Sequence, residues 1–139
     1  MTRIVAGSAK GRTLAVPKSG TRPTSERVRE ALFSRLDHMN VLEGATVLDL
    51  YAGTGALGLE ALSRGGTHAT LVEKASTAAR VASANVRSTG LPARVVTADA
   101  RTYLGARSGE ALAGDIDLVF IDPPYEIAED DMTTVLYCP

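Results

Sequence analysis

The sequence predicts an α/β fold: a parallel sheet with helices on both faces, carrying a small N-terminal β-hairpin extension. Three observations predict it. From residue 44 onward, short apolar runs alternate with helical patterns at the spacing of strand–helix–strand units. The strand runs are apolar throughout rather than alternating with polar residues, as a sheet covered on both faces requires. Glycines and acidic residues gather just after the strands, where such sheets bind their ligands.

The elements follow in order. Arg3-Ile4-Val5 and Thr13-Leu14-Ala15-Val16 are β-prone runs around a Gly7/Gly11 turn region, a hairpin whose tip carries Lys10 and Arg12. Pro17 to Pro23 is a loop, after which Thr24 or Ser25 caps a helix with Glu26 in its first turn. In that helix Val28, Ala31, Leu32 and Leu36 share one face at helical spacing, with Arg27, Arg29 and Arg35 projecting elsewhere. A basic extension over 1–22 and a main domain over 23–139 result. Within the main domain the strands are Ala45–Leu50, Ala69–Glu73, Ala93–Thr97 and Asp117–Ile121. The helices between them are Ala56–Arg64, closed by Gly65-Gly66, an alanine-rich stretch from Thr77 to Ser88, and a shorter one near 100–106. A last short helix is predicted from Glu129 to Leu136.

Composition agrees with one domain. The 139 residues are 45% hydrophobic and 22% charged, enough to bury a core and unlike a disordered chain. The net charge of −1 conceals a division: residues 1–35 carry +6 and residues 36–139 carry −7. A basic front on an acidic body suits a module that meets phosphate at one end. Cys138 is the only cysteine, which excludes an intrachain disulfide or a cysteine zinc site. The N-terminus lacks the apolar core of a signal peptide and no apolar run reaches membrane-spanning length, so the expectation is a cytoplasmic monomer without metal or membrane partner.

The strand ends carry the chemistry. Gly53-Thr54-Gly55-Ala56-Leu57-Gly58 is a G-x-G-x-x-G turn opening a helix, where glycines allow close approach and the helix N-terminus offers free N–H groups. Glu73 ends the next strand and can accept hydrogen bonds from ribose hydroxyls, or stand there as a solvated acid. Asp99, before Ala100, can take an adenine amine or cap a helix. These features fit either a nicotinamide dinucleotide or S-adenosylmethionine. Asp49, four residues before Gly53, helps separate the two: a carboxylate repels a pyrophosphate but attracts an α-ammonium, and a role in satisfying backbone N–H groups of the loop is compatible with this. The most specific signal is Asp122-Pro123-Pro124-Tyr125. An Asp carboxylate and a proline carbonyl make an acceptor pair for a base NH₂ group, and the tyrosine can stack on the base. Acceptors on that amine favour pyramidal nitrogen and stabilise the positive charge that grows as it attacks a methyl sulfonium.

Asp49-Leu50-Tyr51-Ala52-Gly53-Thr54-Gly55-Ala56-Leu57-Gly58 together with Asp122-Pro123-Pro124-Tyr125 resembles the class I S-adenosylmethionine-dependent amino-methyltransferases, which have a Rossmann-like sheet. Arg22-Pro23-Thr24-Ser25-Glu26-Arg27-Val28-Arg29-Glu30-Ala31-Leu32-Phe33, preceded by Arg3–Gly7 and Gly11-Arg12, narrows this. It resembles the rRNA small-subunit methyltransferase D family, the bacterial 16S rRNA (guanine(966)-N(2))-methyltransferases. The resemblance implies methyl transfer from S-adenosylmethionine to the N2 amine of a guanine in 16S rRNA, free or in an assembling 30S subunit. It implies that Asp49, Gly53, Gly55 and Gly58 hold the methionine part of the cofactor, Glu73 its ribose, and Asp99 with Ala100 its adenine. Asp122 and Pro123 would orient the amine, and Tyr125 would stack on the flipped base. Lys10, Arg12, Arg22, Arg27 and Arg29 would grip the RNA.

Asp-Pro-Pro-Tyr also serves adenine-N6 DNA methyltransferases, but the Arg-Pro-Thr helix favours RNA. Members of the class have three strands after this motif, whereas 14 residues follow Tyr125. The expectation is therefore a sheet incomplete on that side, with Asp117–Ile121 left as an unpaired edge. A catalytically impaired RNA-binding remnant is the competing reading.

Overall fold

A computed structural model describes residues 2–16, 26–106, 115–123 and 134–137. The elements are β1 (Thr2–Arg3), β2 (Thr13–Leu14), α1 (Glu26–His38), β3 (Thr46–Leu50), α2 (Ala56–Ser63), β4 (His68–Glu73), α3 (Ser76–Thr89), β5 (Ala93–Thr97), α4 (Ala100–Gly105), β6 (Leu118–Ile121) and β7 (Thr134–Tyr137). β1 and β2 pair antiparallel as a hairpin. The other strands form a sheet in the order β5-β4-β3-β6-β7. Its first four strands are parallel and β7 runs antiparallel to β6.

Alternation along the strands divides the interior in two, because successive side chains leave opposite faces. Val47, Ala69, Leu71, Leu118 and Phe120 enter the larger core, with Phe33 and Leu36 of α1, Leu57, Leu59 and Leu62 of α2, and Ile4 and Leu14 of the hairpin. Leu48, Leu50 and Val72 face the other way, onto Ala100 and Tyr103 of α4. The hairpin is thus part of the main core: Ile4 and Leu14 are 1% and 2% exposed.

Two expectations are corrected here. The predicted helix over Glu129–Leu136 is not what pairs with the sheet; Thr134–Tyr137 is a strand in register with β6, Ile121 opposite Thr134 and Leu118 opposite Tyr137. Thr-Val-Leu-Tyr is β-branched and aromatic, and β6 offers it an edge, so pairing overrides a weak helical pattern. The strand ending at Ile121 is therefore paired on both sides, by β3 and β7.

The second correction concerns α1. Its buried residues are Arg29, Phe33 and Leu36, whereas Val28 and Ala31 are exposed. Leu36 of the expected face is buried and Leu32 packs partly buried on the core, but the buried stripe also takes in Arg29, which has a partner inside. Arg29 Nε lies 3.4 Å from Glu60 Oε1, with both side chains sealed from water, and another of its nitrogens donates to the Arg3 carbonyl. Burial pulls the Arg29 pKa below its ordinary value, opposed by the attraction of Glu60 and Glu26. Arg64 bonds the other Glu60 oxygen at 2.9 Å and reaches Asp37 at 2.6 Å. Although partly desolvated, it is held above its ordinary pKa by these two acids. Its guanidinium lies 5.2 Å from the Phe33 ring centre, and Phe33 packs on Phe120 at 5.5 Å.

Candidate active site

The chain leaves β3, builds outward through β4 and β5, then returns to the other side of β3 as β6. Strand order therefore reverses between β3 and β6, and a crevice forms beyond their carboxyl ends. Leu50 pairs with Ile121, so the segments beginning at Tyr51 and Asp122 leave the sheet side by side. Tyr51 takes φ 60°, a left-handed conformation uncommon for a side chain of that size. Such strain concentrates at functional turns, and here it aims the chain into the glycine segment.

The three glycines differ in their physical roles. Gly53 has φ 58° with open space where a Cβ would stand, which lets a ligand approach the main chain. Gly55 has φ 87° and is the residue preceding α2. At Gly58 a Cβ would lie 2.3 Å from Leu71 Cδ2 and 3.2 Å from Asp49 Oδ2, so glycine lets α2 lie close against β3 and β4.

Asp49 is 1% exposed. Its Oδ2 accepts the Gly58 N–H at 3.0 Å, while Oδ1 is buried with no hydrogen-bond partner among the described residues. Desolvation pushes its pKa up to about 8; the Gly58 N–H opposes this, and the Asp122 and Glu73 carboxylates add to it. Three acids thus act on one small volume. Glu73, half-buried, accepts the Gly53 N–H at 2.7 Å and the Ala75 N–H at 2.8 Å. It shapes the glycine turn and the start of α3, and each oxygen retains a lone pair for a further donor.

Asp99 caps α4, accepting from Arg101 N at 2.8 Å and Thr102 N at 3.3 Å, with Lys74 3.9 Å from its second oxygen. Ala100 begins that helix and is buried. Asp122 and Pro123 follow β6 half-buried. Tyr125 and Arg22 lie outside the described residues.

Of the basic residues, Lys10, Arg12 and Arg27 are exposed, and Arg12 also donates to the Ser88 carbonyl at 3.3 Å. Arg29 is corrected: it is 0% exposed, its charge turned onto Glu60, and cannot meet a phosphate. The pattern of charges in the sequence missed Glu60, Ser63 and Asn85. Glu60 accepts Val5 N and Ala6 N at 2.9 and 3.1 Å, and Ser63 Oγ accepts Ala9 N and donates to Ala6 O. Asn85 bonds both main-chain groups of Ala15. No group of three or more His, Cys, Asp or Glu among the described residues could hold a metal ion, and no helix there is long and apolar enough to cross a membrane.

The comparisons agree with this geometry. Ribosomal RNA small subunit methyltransferase D of Escherichia coli K12 is 42% identical over 125 residues, covering 88% of this chain and 60% of its own length. The protein of the same name from Haemophilus influenzae is 34% identical, covering 98% of this chain and 70% of its own. Among solved structures, a hypothetical protein of Thermus thermophilus superposes with a TM-score of 0.78 at 42% identity, covering 92% of this chain and 72% of that one. The chain thus spans about 60% of the length of the Escherichia coli relative. The family described as Conserved hypothetical protein 95 matches residues 2–137. With a largely parallel sheet, a glycine turn and a crevice at the strand-order reversal, the chain belongs to that family, and it is a relative of the proteins named ribosomal RNA small subunit methyltransferase D.

Proposed function

We propose that this protein transfers a methyl group from S-adenosylmethionine to the exocyclic N2 amine of a guanine in small-subunit rRNA. The observation that carries the reading is the Asp49 carboxylate: buried, with one oxygen unpartnered, and acted on by the Asp122 and Glu73 carboxylates. Such a cluster calls for a cation, and an α-ammonium with a sulfonium supplies positive charge where a dinucleotide pyrophosphate would be repelled. The open space at Gly53 fits a ligand lying against the main chain. Glu73 suits the ribose hydroxyls, and Asp99 with Ala100 the adenine edge.

When bound, S-adenosylmethionine supplies an electrophilic methyl group. Asp122 and the Pro123 carbonyl accept hydrogens of the amine and hold its nitrogen for attack, and Tyr125 stacks on the base. As the nitrogen–carbon bond forms, the methyl–sulfur bond would break and S-adenosylhomocysteine would leave with that electron pair; the Asp122 carboxylate would stabilise the charge growing on nitrogen, and the extra proton would then leave to water. No strong base is needed beforehand. Lys10, Arg12, Arg22 and Arg27 grip the RNA backbone, and the partner is 16S rRNA, free or in an assembling 30S subunit.

The test is transfer of tritiated methyl groups to undermethylated 30S subunits. The unaltered chain is expected to label 16S rRNA, with Asp122→Ala at least about 100-fold slower. In a parallel reaction with duplex DNA, label on adenine there and none on 16S rRNA would sink the guanine assignment. Salt-sensitive RNA binding with no transfer by any variant would leave an RNA-binding protein instead.

A further inference from the structure

Asn85 lies on α3, 1% exposed, and every hydrogen-bonding hydrogen of its amide is taken. Oδ1 accepts the Ala15 N–H at 2.7 Å. Nδ2 donates to the Ala15 carbonyl at 3.1 Å and to the Thr54 carbonyl at 3.0 Å. The partners determine the orientation of the amide, since a flip would set its oxygen against two carbonyls and its NH₂ against an N–H.

Two distant segments meet on this side chain. Ala15 directly follows β2 of the basic hairpin, and Asn85 serves both its main-chain groups as a neighbouring strand would. Thr54 stands between Gly53 and Gly55 in the glycine turn. A second tether parallels the first: Arg12 of the hairpin donates to the Ser88 carbonyl further along α3. If either segment shifts, the buried Asn85 amide loses a partner, and leaving such a group unsatisfied is costly in a low-dielectric interior.

We infer that Asn85 is a positioning residue joining the hairpin to the glycine turn, so that RNA binding at one and cofactor binding at the other are coupled. The inference rests on the proposed function, which assigns ligands to the two segments. Coupling of this kind is reciprocal: whatever the cofactor does to RNA affinity, RNA does equally to cofactor affinity.

The experiment measures filter binding of 16S rRNA to the full chain at one fixed salt concentration, with and without saturating S-adenosylhomocysteine. The unaltered protein is expected to bind RNA about fivefold or more tightly with the nucleoside present, and Asn85→Ala to bring that ratio to about one. A merely structural lesion weakens both ligands but leaves the ratio unchanged, which would overturn the inference. Hydrogen exchange in the unaltered protein needs no variant to fold: S-adenosylhomocysteine is expected to slow exchange of the Ala15 amide several-fold. Unchanged exchange at Ala15, or RNA and nucleoside that both bind with a ratio of one, overturns the coupling alone. Failure of the unaltered chain to bind either ligand overturns the proposed function, and the coupling with it.

Discussion

Two carboxylates are sealed from water on the same side of the sheet, and their surroundings are opposite. Glu60 is 0% exposed and both its oxygens are taken: Val5 N–H and Arg29 on one, Ala6 N–H and Arg64 on the other. Asp49 is 1% exposed and has one N–H, one empty oxygen and two other acids acting on it. A buried charge with its full set of partners holds structure together; one lacking them costs stability and is kept where a ligand completes it. Burial alone does not distinguish the two residues. The count of donors does.

The comparison can be broken most severely at Glu60. Glu60→Ala strands Arg29 and Arg64 and removes the acceptor of two hairpin amides. Urea unfolding is expected to lose about 3–5 kcal/mol. A loss below about 1 kcal/mol would mean that the network holds little.

Asp49→Asn tests the other side. The folded carboxyl keeps its proton up to about pH 8, whereas an aspartate open to water releases it near 3.8. Between those values the folded state binds more protons, so stability falls as pH rises, by up to about 1.4 kcal/mol per pH unit. The asparagine variant is expected to lack this slope in urea titrations at pH 5, 6, 7 and 8; an identical slope would exonerate Asp49. A related effect appears on binding. At pH 7 the free carboxyl is mostly protonated, so a ligand that brings an α-ammonium to it should expel close to one proton, about 1 per site. Calorimetry of S-adenosylhomocysteine binding, in buffers of different ionisation heat, reads this directly, and Asp49→Asn should abolish it. The smallest effect belongs to Asp37→Ala. Asp37 is 48% exposed at the edge of the Glu60 network, and its loss should cost less than about 1 kcal/mol.

The parallel sheet and its strand ends were legible because they leave local marks. Apolar runs bounded by glycine and acid need no distant information, and position at or just after a strand's end is what singles out Asp49, Gly53, Glu73, Asp99 and Asp122. The polar seam was not legible. Glu60 and Val5 are 55 residues apart, Asn85 and Ala15 are 70 apart, and neither pair leaves a periodic signature. An arginine on a helix reads as solvent-facing unless its partner is known, which is why Arg29 was misplaced. Thr134–Tyr137 was misassigned because a four-residue apolar run carries too little periodicity to tell strand from helix.

The seam has one further property. Its polar bonds engage the main chain of the hairpin: the amides of Val5, Ala6, Ser8, Ala9 and Ala15, and the carbonyls of Ala6 and Ala15, meet Glu60, Ser63 and Asn85. The apolar anchors Ile4, Ala9 and Leu14, and Gly7, whose Cβ would stand 1.8 Å from the Ser63 carbonyl oxygen, constrain which residues fit there. An outward position such as Lys10, exposed at the tip, is free of that fit. The body works as a socket and the hairpin as an exchangeable tool: its exposed chemistry can be rewritten for a different target without loosening the joint.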